Sequence, residues 1–249
     1  MSKTVISWWS AGVTSTIATK LALEKYDNVS IYFCETNAHH PDNERFIKDC
    51  EKYFGQKINI LNNKKWGSLD KVLDHGYINS PGGAYCTKVL KKDVRIALEK
   101  IVDYEHQVFG FEYDPKQIKR AERFIEQYPN AKAIFPLIDA KLNKKDCLEM
   151  LIKEGIDVPA MYKLGMPNNN CFPCVKGGKG YFNHVRKIAP DRFDWLAQKE
   201  RAAGHSCING VFLDELDPEA GRFEPMELPE CGIYCEVEMF EDKKENKSE

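Results

Sequence analysis

Short apolar runs alternate with amphipathic stretches through the first 155 residues. The runs with the length and composition of buried strands are 4–9, 29–34, 58–61, 107–111 and 133–137. Apolar positions three and four apart predict helices over 16–25, from Pro41 to Gly55, and over 88–101, 115–127 and 144–153. Strands separated by helices of about three turns predict an α/β fold with a doubly wound, mostly parallel, five-stranded sheet.

The pattern changes beyond residue 158, where Gly, Pro, Asn and Cys become frequent and the strand–helix alternation ends. We therefore predict an α/β domain over 1–157 and a helical, loop-rich and cysteine-containing extension over 158–240. Residues 241–249 are almost wholly charged or polar, which is typical of a disordered tail.

Charge and composition limit the classes of partner. Thirty-six Lys and Arg against 38 Asp and Glu give a net charge of −2, which argues against the polybasic coating of non-specific nucleic-acid binders, although a local basic groove is compatible with it. No apolar run approaches the roughly 20 residues of a membrane helix, and the N-terminal stretch lacks the apolar core of a signal peptide. The sequence predicts a cytoplasmic protein without a membrane partner, and it leaves the oligomeric state open.

A turn of small residues joins the first strand to the first helix. It consists of Ser10, Ala11, Gly12, Val13, Thr14 and Ser15. In an open α/β sheet such a turn lies at the carboxyl ends of the strands, where backbone N–H groups at a helix N-terminus favour an anion. Gly12 would allow a positive φ or a close approach, and the hydroxyls could donate to phosphate. The alternative is an ordinary tight turn with Thr14 or Ser15 as the N-cap.

The Ser-x-Gly-x-x-Ser pattern of this turn resembles the PP-loop (SGGxDS) of adenine-nucleotide α-hydrolase-like proteins, and most of all the phosphoadenosine-phosphosulfate (PAPS) reductase family. Further segments follow that family's order: 33–37, 86–91, 109–111, 135–137, 161–165 and 171–174. The resemblance implies an adenine nucleotide held by Ser10, Ala11, Gly12, Val13, Thr14, Ser15, Glu35, Thr36, Lys91, Gly110 and Arg120.

The turn departs from that family at two positions, because Val13 and Thr14 stand where the PP-loop usually has Lys and Asp. A charge-assisted contact to phosphate is about twice as strong as a neutral one. The departure therefore weakens the case for ATP cleavage more than the case for nucleotide binding. Other cations would have to serve, and the candidates are Lys88, Lys91, Arg120 and the loop 176–180.

The nine cysteines are concentrated late in the chain. Cys171-x-x-Cys174 and Cys231-x-x-x-Cys235 are two close pairs, a spacing that indicates a metal site. Thiolates suit zinc and iron–sulfur clusters equally, so the metal stays undecided. The family resemblance implies a four-iron four-sulfur cluster with Cys86, Cys171 and Cys174 as ligands, and Cys235 or Cys207 as the fourth. Three other cysteines are expected to be small core residues: Cys34, Cys50 and Cys147.

Cys231 has two alternative roles. Glu230-Cys231-Gly232-Ile233 resembles a reductase segment whose cysteine attacks the sulfur of a bound sulfonucleotide, although Tyr234 replaces the usual His. The resulting S-sulfonate would then be reduced by a thioredoxin-like dithiol protein. The nearby Cys235 equally favours Cys231 as a metal ligand.

Three functions follow from these alternatives. The leading hypothesis is thiol-dependent reduction of a sulfonucleotide to sulfite, with Cys231 as the nucleophile. The second is an ATP-dependent sulfur or nucleotidyl transferase, which would need Mg²⁺ on the phosphates. The third is a non-catalytic nucleotide-binding protein in which a zinc knuckle holds the extension in place.

Overall fold

The computed structural model describes residues 3–79, 83–226 and 228, and these contain a five-stranded sheet. Its strands are β1 (Thr4–Trp8), β2 (Val29–Cys34), β3 (Ile58–Leu61), β4 (Tyr104–Phe109) and β5 (Ala133–Ile134). Their order is β3-β2-β1-β4-β5 and every pairing is parallel, which confirms the predicted fold class. From β1 the chain adds β2 and β3 on one side of the sheet and β4 and β5 on the other. The carboxyl ends of β1 and β4 therefore flank the position where α/β sheets bind ligands.

Helices cover both faces of the sheet. The elements are α1 (Val13–Lys25), α2 (Asn43–Phe54), α3 (Leu69–Asp74), α4 (Tyr85–Thr87), a π-helical turn (Lys88–Lys92), α5 (Asp93–Glu99), α6 (Pro115–Gln127), α7 (Pro136–Asp139), α8 (Lys144–Lys153), α9 (Ala160–Lys163), α10 (Lys179–Ile188) and α11 (Pro190–Ala203). Single turns of 3₁₀ helix lie at Pro129–Ala131 and Leu213–Glu215.

Capping residues fix the ends of several helices at the positions that the sequence predicts. The Asp114 carboxylate accepts from two N–H groups at the start of α6, and Asn143 forms a capping box with Asp146 at the start of α8. Gly55, with φ of 70°, ends α2 in the left-handed conformation. The fifth strand is shorter than predicted, because Pro136 already occupies the first turn of α7.

Side-chain alternation along β1 assigns the helices to faces. The Ser7 hydroxyl lies 2.8 Å from that of Thr19 on α1, so Trp8 projects to the opposite face. There its indole Nε1 donates to Gln107 of β4 at 2.6 Å, and Gln107 donates to Glu99 of α5. Helices α1 and α5 therefore lie on opposite faces of the sheet.

The buried side chains form two clusters. The first packs α1, α2 and α8 against the sheet, with Trp9 and Phe46 stacked 5.8 Å apart. The second joins α3 and the segment 84–90 to α10 and α11, and it includes Phe182 and Leu196. The described residues 69–79 and 83–90 thus pack with the extension, although they precede the predicted domain boundary at 157. Among the described residues, no helix is both long and apolar enough to cross a membrane.

Candidate functional site

The turn between β1 and α1 adopts a conformation that differs from the expectation in one respect. Ala11, fully buried, has a positive φ of 59°, whereas Gly12 has an extended backbone with φ of −105°. The left-handed residue of the turn is therefore Ala11, and of the two possibilities considered for Gly12, a positive φ and a close approach, the positive φ does not occur. A non-glycine residue in this conformation costs roughly 1–2 kcal/mol, so the surrounding contacts must hold the turn in place.

Hydrogen bonds supply that restraint from within the turn. The Ser15 hydroxyl donates to the Gly12 carbonyl at 2.9 Å and accepts from the Ser10 main-chain N–H at 3.0 Å. The Ser10 hydroxyl donates to the same oxygen at 3.1 Å. Neither Thr14 nor Ser15 is the N-cap of α1, because that position belongs to Gly12, which makes no side-chain cap. The Ser15 hydroxyl is thus used inside the turn.

Residues from the extension also contact the turn. The Val13 N–H donates to the Tyr162 hydroxyl oxygen at 3.2 Å, and the Asn169 amide donates to the Ala11 carbonyl at 2.7 Å. Within the described residues, the N–H groups of Thr14 and Ser15 have no hydrogen-bond partner. Two main-chain donors at the N-terminus of a 13-residue helix are therefore available to an anion.

Gly110 brings the end of β4 against this helix N-terminus. A Cβ at position 110 would lie 2.6 Å from the Ser15 Cα and 2.7 Å from the Ser15 main-chain nitrogen. Both contacts are with backbone, which cannot rotate away. The absence of a side chain at Gly110 is what allows β4 and α1 to meet at the ligand-binding edge of the sheet.

A cavity of about 730 Å³ opens at this edge. Six described lining residues are cationic and one is acidic, Glu112; the cations are Lys91, Lys92, Arg95, Arg120, Lys144 and Lys176. The protein as a whole has a net charge of −2, so positive charge is concentrated at the cavity. A low-dielectric cleft lined mostly by one sign of charge focuses its field on an oppositely charged ligand.

Most of the predicted nucleotide-binding residues lie on this cavity. The lining includes Ser10, Thr14, Ser15, Thr36, Lys91, Gly110 and Arg120. Arg120 stacks 4.2 Å from the Phe111 ring centroid, and burial, followed by the charge of Arg123, lowers the pKa of its guanidinium. Lys88, by contrast, is exposed, pairs with Asp93 at 3.0 Å and does not line the cavity.

Glu35 has an internal role in the loop that follows β2. Its Oε1 accepts from the N–H groups of Thr36 and Asn37 at 2.7 and 2.6 Å, and lies 3.0 Å from Nδ1 of His39. Burial opposes ionisation, but the hydrogen bond and charge of His39 and the two N–H donors outweigh it and lower the pKa of Glu35. This carboxylate orders the loop and is not among the residues that line the cavity.

Four thiols form one wall of the cavity, and we call them the thiol wall: Cys34, Cys86, Cys171 and Cys174. The expectation that Cys34 is a small core residue is wrong, because it ends β2 and is only half-buried. Cys50 and Cys147 are fully buried, as predicted.

Lys91 lies among these thiols. Burial lowers the pKa of its ammonium, but Cys171, Cys174, Cys34 and Cys86 together raise it above its ordinary value. Burial raises the pKa of Cys34 to about 11 against the opposing charge of Lys91. Burial, then the charges of Cys171 and Cys174, also raises the pKa of Cys86. The cation and the thiols are thus electrostatically coupled.

Neighbouring elements hold the Cys171-x-x-Cys174 segment in position. The Cys171 sulfur lies 3.1 Å from the Thr36 hydroxyl, and the Cys174 N–H donates to the Tyr181 hydroxyl oxygen at 2.8 Å. The Arg192 guanidinium donates to the Phe172 carbonyl at 2.6 Å. These contacts attach the segment to β2, α10 and α11, so both thiols occupy defined places beside the loop after β2.

The predicted metal ligands meet only in part. Cys86, Cys171 and Cys174 share the thiol wall, while Cys231 and Cys235 lie outside the described residues. Within the described part of the chain, no three His, Cys, Asp or Glu side chains are arranged to hold a metal ion. The metal site therefore stays a prediction, with three of its proposed ligands on one wall of the cavity. Cys207, the alternative fourth ligand, is buried and does not line the cavity.

Sequence reasoning missed part of the lining. Arg95 is nearly buried on α5, Trp8 projects to the face opposite α1, and Lys144 donates to the Asn168 side chain at 3.0 Å. A signal was present for α6, whose lining residues Gln117, Arg120, Phe124 and Gln127 recur at spacings of three and four. That spacing marks one helix face. The polar partners of Trp8 and Lys144, and the rings that Arg95 contacts, come from distant segments, which no local pattern encodes.

Comparison with known proteins identifies the family. A model of the phosphoadenosine phosphosulfate reductase domain matches residues 4–177. The chain belongs to this family. A crystal structure of a phosphoadenylyl-sulfate (PAPS) reductase from Candida auris, in complex with phosphate, aligns with a TM-score of 0.51 at 13% identity and covers 68% of this chain and 81% of that one. At this identity the likeness concerns the fold.

A curated relative from Methanocaldococcus jannaschii is 24% identical over 195 residues and is itself an uncharacterized protein. The alignment covers 76% of this chain and 46% of that protein. The chain thus spans less than half the length of this curated relative. Membership of the PAPS reductase domain family agrees with the resemblance drawn from the motifs, and it leaves reaction, substrate and partners to be proposed.

Proposed function

We propose that this protein binds an adenine nucleotide carrying a sulfuryl group and reduces it, with a thiol, to sulfite. The observation that carries the proposal is the cavity at the carboxyl ends of β1 and β4. It combines an open helix N-terminus, six cations against one carboxylate and four thiols in a single space. Anion-binding groups and thiols therefore adjoin one ligand site, which supports the proposal, while the proposed nucleophile, Cys231, lies outside the described residues.

The cavity supplies the positive charge that the turn itself lacks. The free N–H groups of Thr14 and Ser15 donate to the 5′-phosphate, and Arg120 reaches the same ligand from α6. Lys91, at the thiol wall, stabilises the charge of the sulfuryl group and of an attacking thiolate. Val13 and Thr14 in place of a Lys and an Asp are compatible with this reaction, since the phosphates of the nucleotide are not cleaved.

The chemistry consists of three displacements at sulfur. A cysteine thiolate, for which we propose Cys231, attacks the sulfuryl sulfur; the S–S bond forms, the S–O bond to phosphate breaks, and the adenine nucleotide leaves with both electrons of that bond. A thiol of a dithiol reductant then attacks the cysteine S-sulfonate and releases sulfite. Its second thiol resolves the mixed disulfide, so the dithiol supplies two electrons and two protons per sulfite.

Binding tests the proposal first. Titration calorimetry with AMP and adenosine 5′-phosphosulfate should show binding of both, and Arg120→Gln should weaken it by about tenfold, because a charge-assisted hydrogen bond contributes roughly 1.5–3 kcal/mol. Lys116→Gln is the matched control, since Lys116 is an exposed lysine on the same helix that does not line the cavity. Equal affinities in the two variants would count against the proposed site.

Turnover tests the chemistry. Sulfite release from adenosine 5′-phosphosulfate with a thioredoxin-type reductant should disappear in Cys231→Ser, while AMP binding and metal content stay unchanged. Loss of bound metal in that variant would instead assign Cys231 as a ligand. Release of pyrophosphate from ATP, without sulfite production, would favour the transferase alternative.

A further inference from the structure

Helix α6 faces the cavity along its whole length. Its lining residues Gln117, Arg120, Phe124 and Gln127 occupy one helix face, and the ten residue steps from the first to the last correspond to about 15 Å at 1.5 Å per step. Because α6 begins at the carboxyl edge of the sheet and runs back across the face opposite α1, the cavity follows it away from the turn.

The opposite side of this extension comes from α5 and the sheet. We call it the α5–α6 groove, and its residues are Trp8, Lys92, Arg95, Phe109, Phe124, Gln127 and Tyr128. Trp8 projects into it from β1, on the face opposite α1. The groove is therefore part of the same cavity as the phosphate-binding turn, but its residues differ from those of the turn.

A chain of polar side chains fixes Arg95 in the groove. Its Nη1 donates to Oε1 of Glu99 at 2.5 Å, and Glu99 Oε1 also accepts from Gln107 at 2.8 Å. Gln107 in turn accepts from the Trp8 indole at 2.6 Å. Arg95 is 8% exposed, so these contacts give its guanidinium a defined position in the groove.

Cations and aromatic rings alternate along the groove. The Arg95 guanidinium lies 4.8 Å from the Tyr128 ring centroid and 5.3 Å from that of Phe124. The Lys92 ammonium lies 5.0 Å from the Tyr128 ring. A positively charged groove with aromatic side chains is the combination that binds the phosphates and bases of single-stranded nucleotides.

We propose that the α5–α6 groove binds a second nucleotide, joined to the adenylate that the carboxyl edge of the sheet holds. The inference rests on the proposed function for that adenylate. Its base stacks on Phe124 and Tyr128, and its phosphate pairs with Lys92 and Arg95. A stacked strand advances about 3.4 Å per nucleotide, so a groove of about 15 Å is long enough for a second unit.

Calorimetry of the full chain with AMP and the 3′–5′ dinucleotide pApA tests this inference. We expect pApA to bind at least about fivefold more tightly than AMP, the lower end of what one base–aromatic stack contributes. Tyr128→Leu should abolish the difference and leave AMP affinity within twofold. Equal affinity of the wild-type protein for AMP and pApA rules out a 3′–5′-linked second nucleotide, and equal affinity for AMP and every longer ligand overturns the proposal.

A second variant avoids dependence on the packing of Tyr128. Lys92 is exposed, and Lys92→Gln should reduce the slope of log affinity for pApA against log salt by about 0.7, the value for one phosphate contact on a single strand. Lys100→Gln, an exposed lysine after α5 that does not line the cavity, should leave the slope unchanged. Identical slopes in both variants would refute the phosphate contact.

The linkage of the two nucleotides distinguishes their source. Tighter binding of pApA and of a tetra-adenylate strand assigns a nucleic-acid end, whereas tighter binding of a 5′–5′ pyrophosphate-linked diadenosine assigns a small dinucleotide. If AMP binds and none of the longer ligands binds more tightly, only the groove inference fails. If AMP itself does not bind, the proposed function fails as well.

Discussion

Replacing Gly110 by alanine tests how the phosphate-binding turn is built. The new Cβ would lie 2.6 Å from the Ser15 Cα, 2.7 Å from its nitrogen and 3.0 Å from the Thr14 carbonyl carbon. Carbon atoms pack at about 3.5–4.0 Å, so β4 and the start of α1 must separate by roughly 1 Å. Such overpacking costs about 1–3 kcal/mol of stability. The displacement also moves the N–H donors of Thr14 and Ser15 away from the ligand.

Urea denaturation and AMP titration measure the two effects, and Gly12→Ala is the control. A Cβ at Gly12 meets only side-chain oxygens, Tyr162 Oη at 3.5 Å and Ser10 Oγ at 3.6 Å, and its φ of −105° suits alanine. We expect Gly12→Ala to change the free energy of unfolding by less than about 1 kcal/mol. Gly110→Ala should destabilise the protein and weaken AMP binding about tenfold. Equal stability and affinity in both variants would refute the reasoning.

Three further predictions concern stability. Burial raises the pKa of Cys50 to about 12 from its ordinary 9.0. The stabilisation from its neutral thiol is therefore complete below pH 9 and is lost as the pH rises toward 12. In urea titrations, Cys50→Ala should flatten the alkaline fall in the free energy of unfolding. Hydrogen bonds from Arg45 lower the pKa of Asp42 below 3.8, so the stabilisation from its carboxylate is present above that pH and is lost on further acidification. Asp42→Asn should lower the free energy of unfolding by about 0.5–1 kcal/mol at pH 7 and reduce the further fall of that free energy in acid. Tyr162→Phe leaves the buried Val13 N–H without its acceptor and should cost about 1–3 kcal/mol in the same assay.

Each of these has a contradicting outcome. An unchanged alkaline slope in Cys50→Ala would show that other groups cause the fall. An Asp42→Asn variant as stable as wild type at pH 7, with the same acid transition, would show that the contact between Arg45 and Asp42 does not stabilise the protein. A Tyr162→Phe variant of wild-type stability would mean that water or a shifted backbone satisfies the Val13 N–H.

The sheet was predictable because each of its elements is encoded locally. Apolar runs with turn residues on either side identify the strands, and capping residues such as Asp114 and Asn143 fix helix starts to the residue. The strand order was not predicted, because the handedness of parallel crossovers fixes the face on which a helix lies and not which strands are neighbours. The short helix α3 was missed, since six residues are too few to show a periodicity, and it packs on the distant helix α11.

The candidate site was predictable only where a residue belongs to a compact motif. Ser10, Thr14, Gly110 and Cys171 were identified in this way, and all four line the cavity. Cys34 could not be assigned from its strand pattern, because a half-buried position at the end of a central strand has the same sequence appearance as a core position. What distinguishes it is the arrival of the segments 86–91 and 171–174 beside β2.

The conformation of the turn could not be read from its residues for a similar reason. Glycine is the residue that adopts positive φ most readily, so Gly12 was the natural candidate, yet the left-handed position is Ala11. The preference of one residue is worth only about 1–2 kcal/mol. The Asn169 amide on the Ala11 carbonyl and the Ser15 hydrogen bonds together exceed it, and these contacts depend on the folded extension.

The charge of the cavity, like the conformation of the turn, depends on residues from distant segments. This dependence determines how the absence of a lysine from the turn should be interpreted. Judged by the turn alone, Val13 in that position removes the main cation for a phosphate. Four of the six described cations that line the cavity, Lys91, Arg120, Lys144 and Lys176, lie on four separate segments. Charges within a Debye length of about 8–10 Å act together on a ligand, whatever their distance in sequence. A neutral turn and an anion-binding cavity are therefore compatible in this chain, and the relevant charge is that of the assembled lining, not that of the motif.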